Sequence, residues 1–198
     1  MRGIKSTAPQ KNYKKTTISV FMIIQEINTA DRHQVNEFIK ISFKVYRNCQ
    51  QWVPPLEIEI RKLLNRSKHP FYKDGEALFL MVYSEKGEAL GRIAVLDNKR
   101  FNRHNKSTNA FFYLFEVTDN FKAAEVLFKA AEKWSCERGL DTLIGPKGFT
   151  PLNGLGMLTK GFENRLALGI PYNHAYYPVF MDRMGFKPSR DVVSGYMD

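Results

Sequence analysis

The spacing of apolar positions changes period several times along the chain, and each change predicts an element. Residues 18–27 are β-rich and predict a first strand. Thr29 and Asp31 offer N-caps for a helix over 31–46, whose Val35, Phe38, Ile39, Phe43 and Tyr46 keep helical spacing and form one buried stripe. Pro54-Pro55 breaks the chain, and Leu56, Ile60, Leu63 and Leu64 mark a short helix over 56–64, closed by His69-Pro70-Phe71. Three strands follow at 77–84, 89–96 and 110–117, the first two joined by a Glu-Lys-Gly turn that signals a hairpin. The third is apolar on both faces, with Phe111, Tyr113, Phe115 and Val117 on one and Phe112, Leu114 and Glu116 on the other, as expected of a central strand. A helix over 121–138 buries Phe121, Ala124, Leu127, Phe128, Ala131 and Trp134 and stops at Gly139. A short strand at 142–145, a glycine-rich region, a partly helical stretch over 172–184 and a last strand over 191–197 complete the order.

That order predicts an α/β chain (an α+β mixed sheet): an antiparallel meander feeds a βαβ crossover whose two strands are parallel. The joint between the third meander strand and the long helix is a place where helix amides can hold a phosphate-bearing cofactor. Here it reads Val117-Thr118-Asp119-Asn120-Phe121, with no glycine, no arginine and one acid. Asp and Asn are preferred helix caps, so capping alone also accounts for the joint.

Length and a 43% hydrophobic content fit one domain with a full core over 18–198. The net charge of +10 is concentrated: residues 1–17 carry +5 and read as a basic disordered tail, and residues 99–106 carry +4 in the expected loop over 97–108. The body is close to neutral, which argues against a nucleic-acid face spread over the fold. Cys49 and Cys136 are far apart, and His33, His69, His104 and His174 lack ligand spacing, so no metal site is expected. Reduced thiols and the absence of a membrane-length apolar run point to a cytoplasmic protein. The glycines from Gly145 to Gly161 lack a P-loop ending and read as a substrate-facing loop.

The motifs Trp52-Val53-Pro54-Pro55-Leu56, His69-Pro70-Phe71, Gly91-Arg92-Ile93-Ala94, Phe115-Glu116-Val117, Gly145-Pro146, Lys160-Gly161-Phe162, Pro171-Tyr172-Asn173, Tyr176-Tyr177-Pro178 and Gly185-Phe186 span about residues 35–198. Together they resemble the N-terminal half of a bacterial branch of tandem GNAT proteins, in the acyl-CoA N-acyltransferase superfamily. The resemblance implies a GNAT-like fold, a second GNAT domain as partner, and acetyl-CoA or another acyl-CoA as cofactor. It places the thioester arm on the backbone of Phe115 and Val117, and the pyrophosphate on Thr118, Asn120, Phe121, Lys122 and Ala123. The superfamily motif at that loop is Gln/Arg-x-x-Gly-x-Gly/Ala, and only Ala123 or Ala124 matches its last position.

N-acylation needs a group that takes a proton from the attacking ammonium, and Glu116 on a central strand is the candidate base. A structural ion pair with Arg92 on the adjacent strand is the competing reading. GNAT enzymes carry a tyrosine acid on the late helix; the usual position, counted from Gly185-Phe186, holds Met181, and Tyr177 one turn earlier is the candidate acid. Tyr172, Asn173, His174 and Tyr176 are expected to face a small-molecule amine substrate, or else to pack as an aromatic cluster. Three functions follow: an acyl-CoA-dependent N-acyltransferase, a catalytically silent GNAT half-domain that binds a second domain, or a polyanion binder using the tail and basic loop.

Overall fold

The alternation expected for the third meander strand holds for its first half and then changes hands. In the computed structural model, which describes residues 21–150, 153–167, 169–189, 191 and 193, that strand runs Asn109–Val117 (β4). It follows β1 (Met22–Glu26), β2 (Gly75–Ser84) and β3 (Ala89–Asn98) and precedes β5 (Thr142–Ile144). The five strands lie in the order β1-β2-β3-β4-β5. The first three pairings are antiparallel and β4 with β5 is parallel, so the meander and crossover stand as expected. The basic tail over 1–17 and most of the last strand lie outside the described residues.

The register of β3 on β4 shifts between Arg92 and Ala94: Arg92 faces Glu116, whereas Ala94 faces Tyr113. Leu114 absorbs the extra residue in the left-handed region, at φ 49°. A bulge of this kind resets the side-chain parity of everything beyond it. Phe115 and Val117 therefore join the same core as Ala110 and Phe112, whereas Phe111, Tyr113 and Leu114 pack on the opposite face. The expected grouping of Phe111 and Tyr113 with Phe115 and Val117 is corrected by this one inserted residue.

Two helical layers cover the sheet. Helices α1 (Arg32–Val45) and α2 (Glu57–Leu64) sit over one face, where Phe38, Ile39, Leu64, Phe79 and Met81 form a core. Asp31 caps α1 by accepting from the amides of His33 and Gln34. On the other face α4 (Phe121–Cys136) and α5 (Tyr176–Arg183) enclose Val95, Phe112, Leu127, Phe128 and Phe180. The basic segment between β3 and β4, expected as a loop, is the helix α3 (Lys99–Asn105). Asn98 caps it by accepting from Phe101 N–H, and the Phe101 ring meets Phe111 edge-on at 5.0 Å.

Candidate functional site

Beside the bulge, β4 parts from its parallel neighbour. The two strands pair only from Asn109↔Thr142 to Phe111↔Ile144. One further bond, Lys147 N–H to Phe112 O at 2.8 Å, ends the contact, and the chain then leaves through the glycine-rich loop. Among the described residues, no strand lies beside the far edge of β4 from Phe115 to Val117, and Val117 pairs with Gly91 on the near side. Gly91 makes that near side tight: a Cβ there would lie 2.8 Å from the carbonyl oxygen of Glu116.

The exposed edge of Val117 is met by two phenols of α5. Val117 N–H donates to Tyr177 Oη at 2.9 Å, and Tyr176 Oη donates to Val117 O at 2.7 Å. These are the donor and acceptor with which an amide-bearing arm would pair, and here side-chain hydroxyls satisfy them. Tyr177 is only 1% exposed, with Phe115 against its ring at 5.2 Å. Burial first, then the Glu116 charge, pushes its hydroxyl well above the usual phenol range.

On the α1 face, Glu116 closes a polar cluster. Its Oε2 accepts from Tyr46 Oη at 2.6 Å and from Tyr177 Oη at 3.1 Å. Its Oε1 lies 4.0 Å from Nη2 of Arg92, whose side chain is 1% exposed against 16% for Glu116. Arg92 Nη1 donates to Phe38 O at 2.6 Å, and its Nε has no hydrogen-bond partner among the described residues. Burial pushes the Glu116 carboxyl above the usual range, opposed by the Arg92 charge and by the two hydroxyl donors. The amide of Val117, Tyr177 and Glu116 thus form one directed chain of donors, with Tyr46 entering from the other side.

Around Tyr46 the aromatics stack. Trp52 lies on one side of it at 4.8 Å and His174 on the other at 4.9 Å, and Tyr176 continues the stack 5.2 Å from His174. His174 Nε2 is 3.1 Å from Val45 O, so that nitrogen carries the proton. Tyr172 Oη donates to Phe162 O at 3.0 Å, and burial, with Cys49 nearby, pushes it up to about 12. Asn173 is buried and spends its amide on Leu158, accepting from its N–H at 2.7 Å and donating to its O at 3.0 Å. It staples the loop, whereas Tyr172, His174 and Tyr176 line the cluster.

The expected pyrophosphate loop is committed to local bonds. Thr118 N–H and Oγ1 both donate to Leu90 O, at 2.9 and 3.2 Å. Asn120 is the N-cap of α4 and accepts from Ala123 N–H at 3.1 Å. Lys122 pairs with Glu125 at 2.6 Å, and the Phe121 ring lies 3.6 Å beneath the Arg183 guanidinium. The structure brings Glu116, Val117, Tyr176 and Tyr177 together and leaves Lys122 outside that group. Sequence reasoning assigned Tyr46 to the buried stripe of α1; its signal was a hydroxyl at the last position of that stripe, which needs a polar partner once buried.

No protein-family model matches the sequence. Protein YghO of Escherichia coli (strain K12) is 26% identical over 168 residues, covering 84% of this chain and 42% of that protein. The bacterial ceramide synthase of Caulobacter vibrioides is 23% identical over 160 residues, covering 80% of this chain and 41% of that protein. The chain thus spans about two fifths of the length of these curated relatives. Among solved structures, a tandem GNAT protein from the clavulanic acid biosynthesis pathway superposes with a TM-score of 0.56 at 12% identity, over 83% of this chain and 43% of that one. The ribosomal-protein-alanine N-acetyltransferase of Brucella melitensis biovar Abortus 2308 superposes with a TM-score of 0.52 at 11% identity, over 89% of this chain and 100% of that one. With a bulged β4, a splayed β5 and these neighbours, the chain has the GNAT-like acyl-CoA N-acyltransferase fold that its motifs resemble.

Proposed function

We propose that this domain is an acyl-CoA-dependent N-acyltransferase acting on a primary amine, with the reacting centre at the Phe115–Val117 edge. The observation that carries the reading is the edge of β4 that no strand of the described residues covers, with Glu116 beside it. The fit to an acyl-CoA divides in two. The edge offers the N–H and C=O of Val117, now held by phenols, which suits the amide-rich arm. The helix joint suits a pyrophosphate poorly, since Thr118, Asn120 and Ala123 spend their polar groups locally. When bound, the cofactor supplies an activated acyl thioester.

The chain's own groups then have separable tasks. Glu116 Oε2 takes a proton from the acceptor's ammonium, and its raised pKa brings it nearer the working range of a base. Arg92 and Tyr46 hold that carboxylate in place. Tyr177 Oη carries a proton next to the same edge and is the candidate acid. One relative is named a bacterial ceramide synthase, and a ceramide is the amide of a long-chain amine, so an amphipathic amine is the acceptor class we propose.

A second reading, a silent half-domain that pairs with another GNAT domain, is favoured by the same phenols on Val117 and by the locally satisfied joint. Titration calorimetry with acetyl-CoA and a long-chain acyl-CoA, followed by thiol release in the presence of amines, separates the two. Heat of binding with amine-dependent thiol release supports the enzyme. No heat at millimolar ligand leaves the silent half-domain.

A further inference from the structure

The run Trp52-Val53-Pro54-Pro55-Leu56-Glu57-Ile58 holds six apolar residues, and two prolines keep it from pairing as an interior strand. It lies outside the sheet as irregular chain that ends at Leu56, the N-cap of α2. Burial of α2 rests on Ile60, Leu63 and Leu64, which leaves the start of the helix facing outward. Pro54 and Pro55 are exposed, as are Leu56 at 58% and Ile58 at 60%. Phe43 on the outer side of α1 is 37% exposed and meets Trp52 edge-on at 5.3 Å, which extends the ledge across to α1. Single exposed apolar residues need no explanation, but a continuous run of them marks a contact surface.

The cations beside the ledge cluster on α1. Lys40 and Lys44, Phe43 and Arg47 stand four residues apart, so the four share a stripe of α1 and its C-terminal end. Lys40 and Arg47 are exposed, and Lys44 reaches Glu88 at 2.7 Å. The two acids of the ledge are neutralised within α2: Glu57 by Arg61 at 3.1 Å and Glu59 by Lys62 at 2.6 Å. A surface with apolar groups at its centre, a tryptophan at its inner margin and cations at its rim is complementary to an anionic bilayer. The ledge also abuts the candidate site, because Trp52 stacks on Tyr46, whose hydroxyl lies 2.6 Å from Glu116.

We propose that Phe43, Trp52, Pro54, Pro55, Leu56 and Ile58 seat this protein on an anionic lipid surface, with Lys40 and Arg47 meeting lipid phosphates. The binding stands on the ledge alone; its purpose, delivery of a membrane-held amine to Glu116, rests on the function proposed above.

The test is flotation of the full chain with vesicles of phosphatidylglycerol and phosphatidylcholine, against vesicles of phosphatidylcholine alone. The unaltered protein floats with the anionic vesicles, and its partition falls with salt. The variant Leu56→Asp/Ile58→Asp lowers that partition by about tenfold or more, and Lys40→Glu/Arg47→Glu lowers it on anionic vesicles. These side chains are exposed, so thermal melting of both variants stays close to that of the unaltered protein. Absence of flotation, or equal flotation by Leu56→Asp/Ile58→Asp, overturns the proposal; the second result assigns lipid binding to another basic segment. Absence of flotation together with self-association that the aspartates abolish also overturns it and makes the ledge a protein interface. Flotation without any amine acylation leaves the ledge standing and removes the proposed function.

Discussion

Replacing Arg92 with Met tests whether the buried cluster is held by charge compensation. Met keeps the apolar stem but not the guanidinium, so Glu116 loses the cation of the cluster, and Phe38 O loses a bond of 2.6 Å. Removing one member of a buried ion pair costs about 3–5 kcal/mol. The 4.0 Å separation and the partial exposure of Glu116 place this case near the lower end, about 3 kcal/mol. The cost depends on pH in a definite direction. Burial raises the Glu116 carboxyl above its unfolded value, so the folded state binds more protons and stability falls as pH rises through that window. Without Arg92 the opposing charge is gone and the carboxyl rises further. At about pH 3, well below the ordinary carboxylate value, Glu116 is protonated folded and unfolded, and the loss is confined to the Phe38 bond and the vacated space. Toward about pH 8 the penalty grows, because the unfolded carboxyl ionises while burial resists ionisation in the folded state. Urea unfolding at both pH values measures the difference, and adding Glu116→Gln to the variant recovers part of the loss at pH 8. A penalty below about 1 kcal/mol that is the same at both pH values refutes the compensation argument.

Glu116→Gln in an otherwise unaltered chain lowers amine-dependent thiol release by about 10²–10⁴-fold if the carboxylate is the base, with little change in acyl-CoA affinity; unchanged turnover removes it from that role. Tyr176→Phe removes the 2.7 Å bond to the Val117 carbonyl, leaving only the longer Tyr177 contact at 3.3 Å among the described residues, and raises acyl-CoA affinity by about two- to tenfold in calorimetry; an unchanged affinity means the Tyr176 phenol does not compete for the edge. Gly91→Ala forces a Cβ to within 2.8 Å of Glu116 O and destabilises the chain by about 1–3 kcal/mol in denaturant unfolding. A neutral result there means that β3 and β4 shift apart without cost.

The basic segment over 97–108 shows where local pattern misleads. Helix α3 is polar on most sides, so no apolar stripe announces it; the Asn98 cap, the Phe101 ring and the buried Asn102, which donates to Asn109 O and accepts from Asn109 N–H, hold it in place. Two of its cations are engaged, Lys99 with Glu76 and Arg103 with Asp74, which weakens the case for a polyanion site there. The cap at Asn120, by contrast, was legible, because a residue that bonds its own helix amides does so from local sequence alone.

Elements with a local signal were readable from the chain alone. The stripe of α4, that of α1 except Phe43, which is expected buried and stands exposed beside Trp52, the β2–β3 hairpin and the crossover to β5 follow from periodicity and turn chemistry, and the motifs pointed to the fold. Tertiary structure decided the site. Leu114 lies in a run of apolar residues that looks like unbroken alternation, and only pairing with β3 reveals that one residue is extra. That extra residue turns Glu116 toward Arg92 and lets β4 part from β5. Tyr46 and Tyr177 meet Glu116 from 70 and 61 residues away, a proximity that short-range patterns do not encode. Hydrogen bonds across such separations are set by how layers pack on the sheet, which is why Glu116 and its neighbour Arg92 could be paired from sequence but the two hydroxyls that bond Glu116 could not.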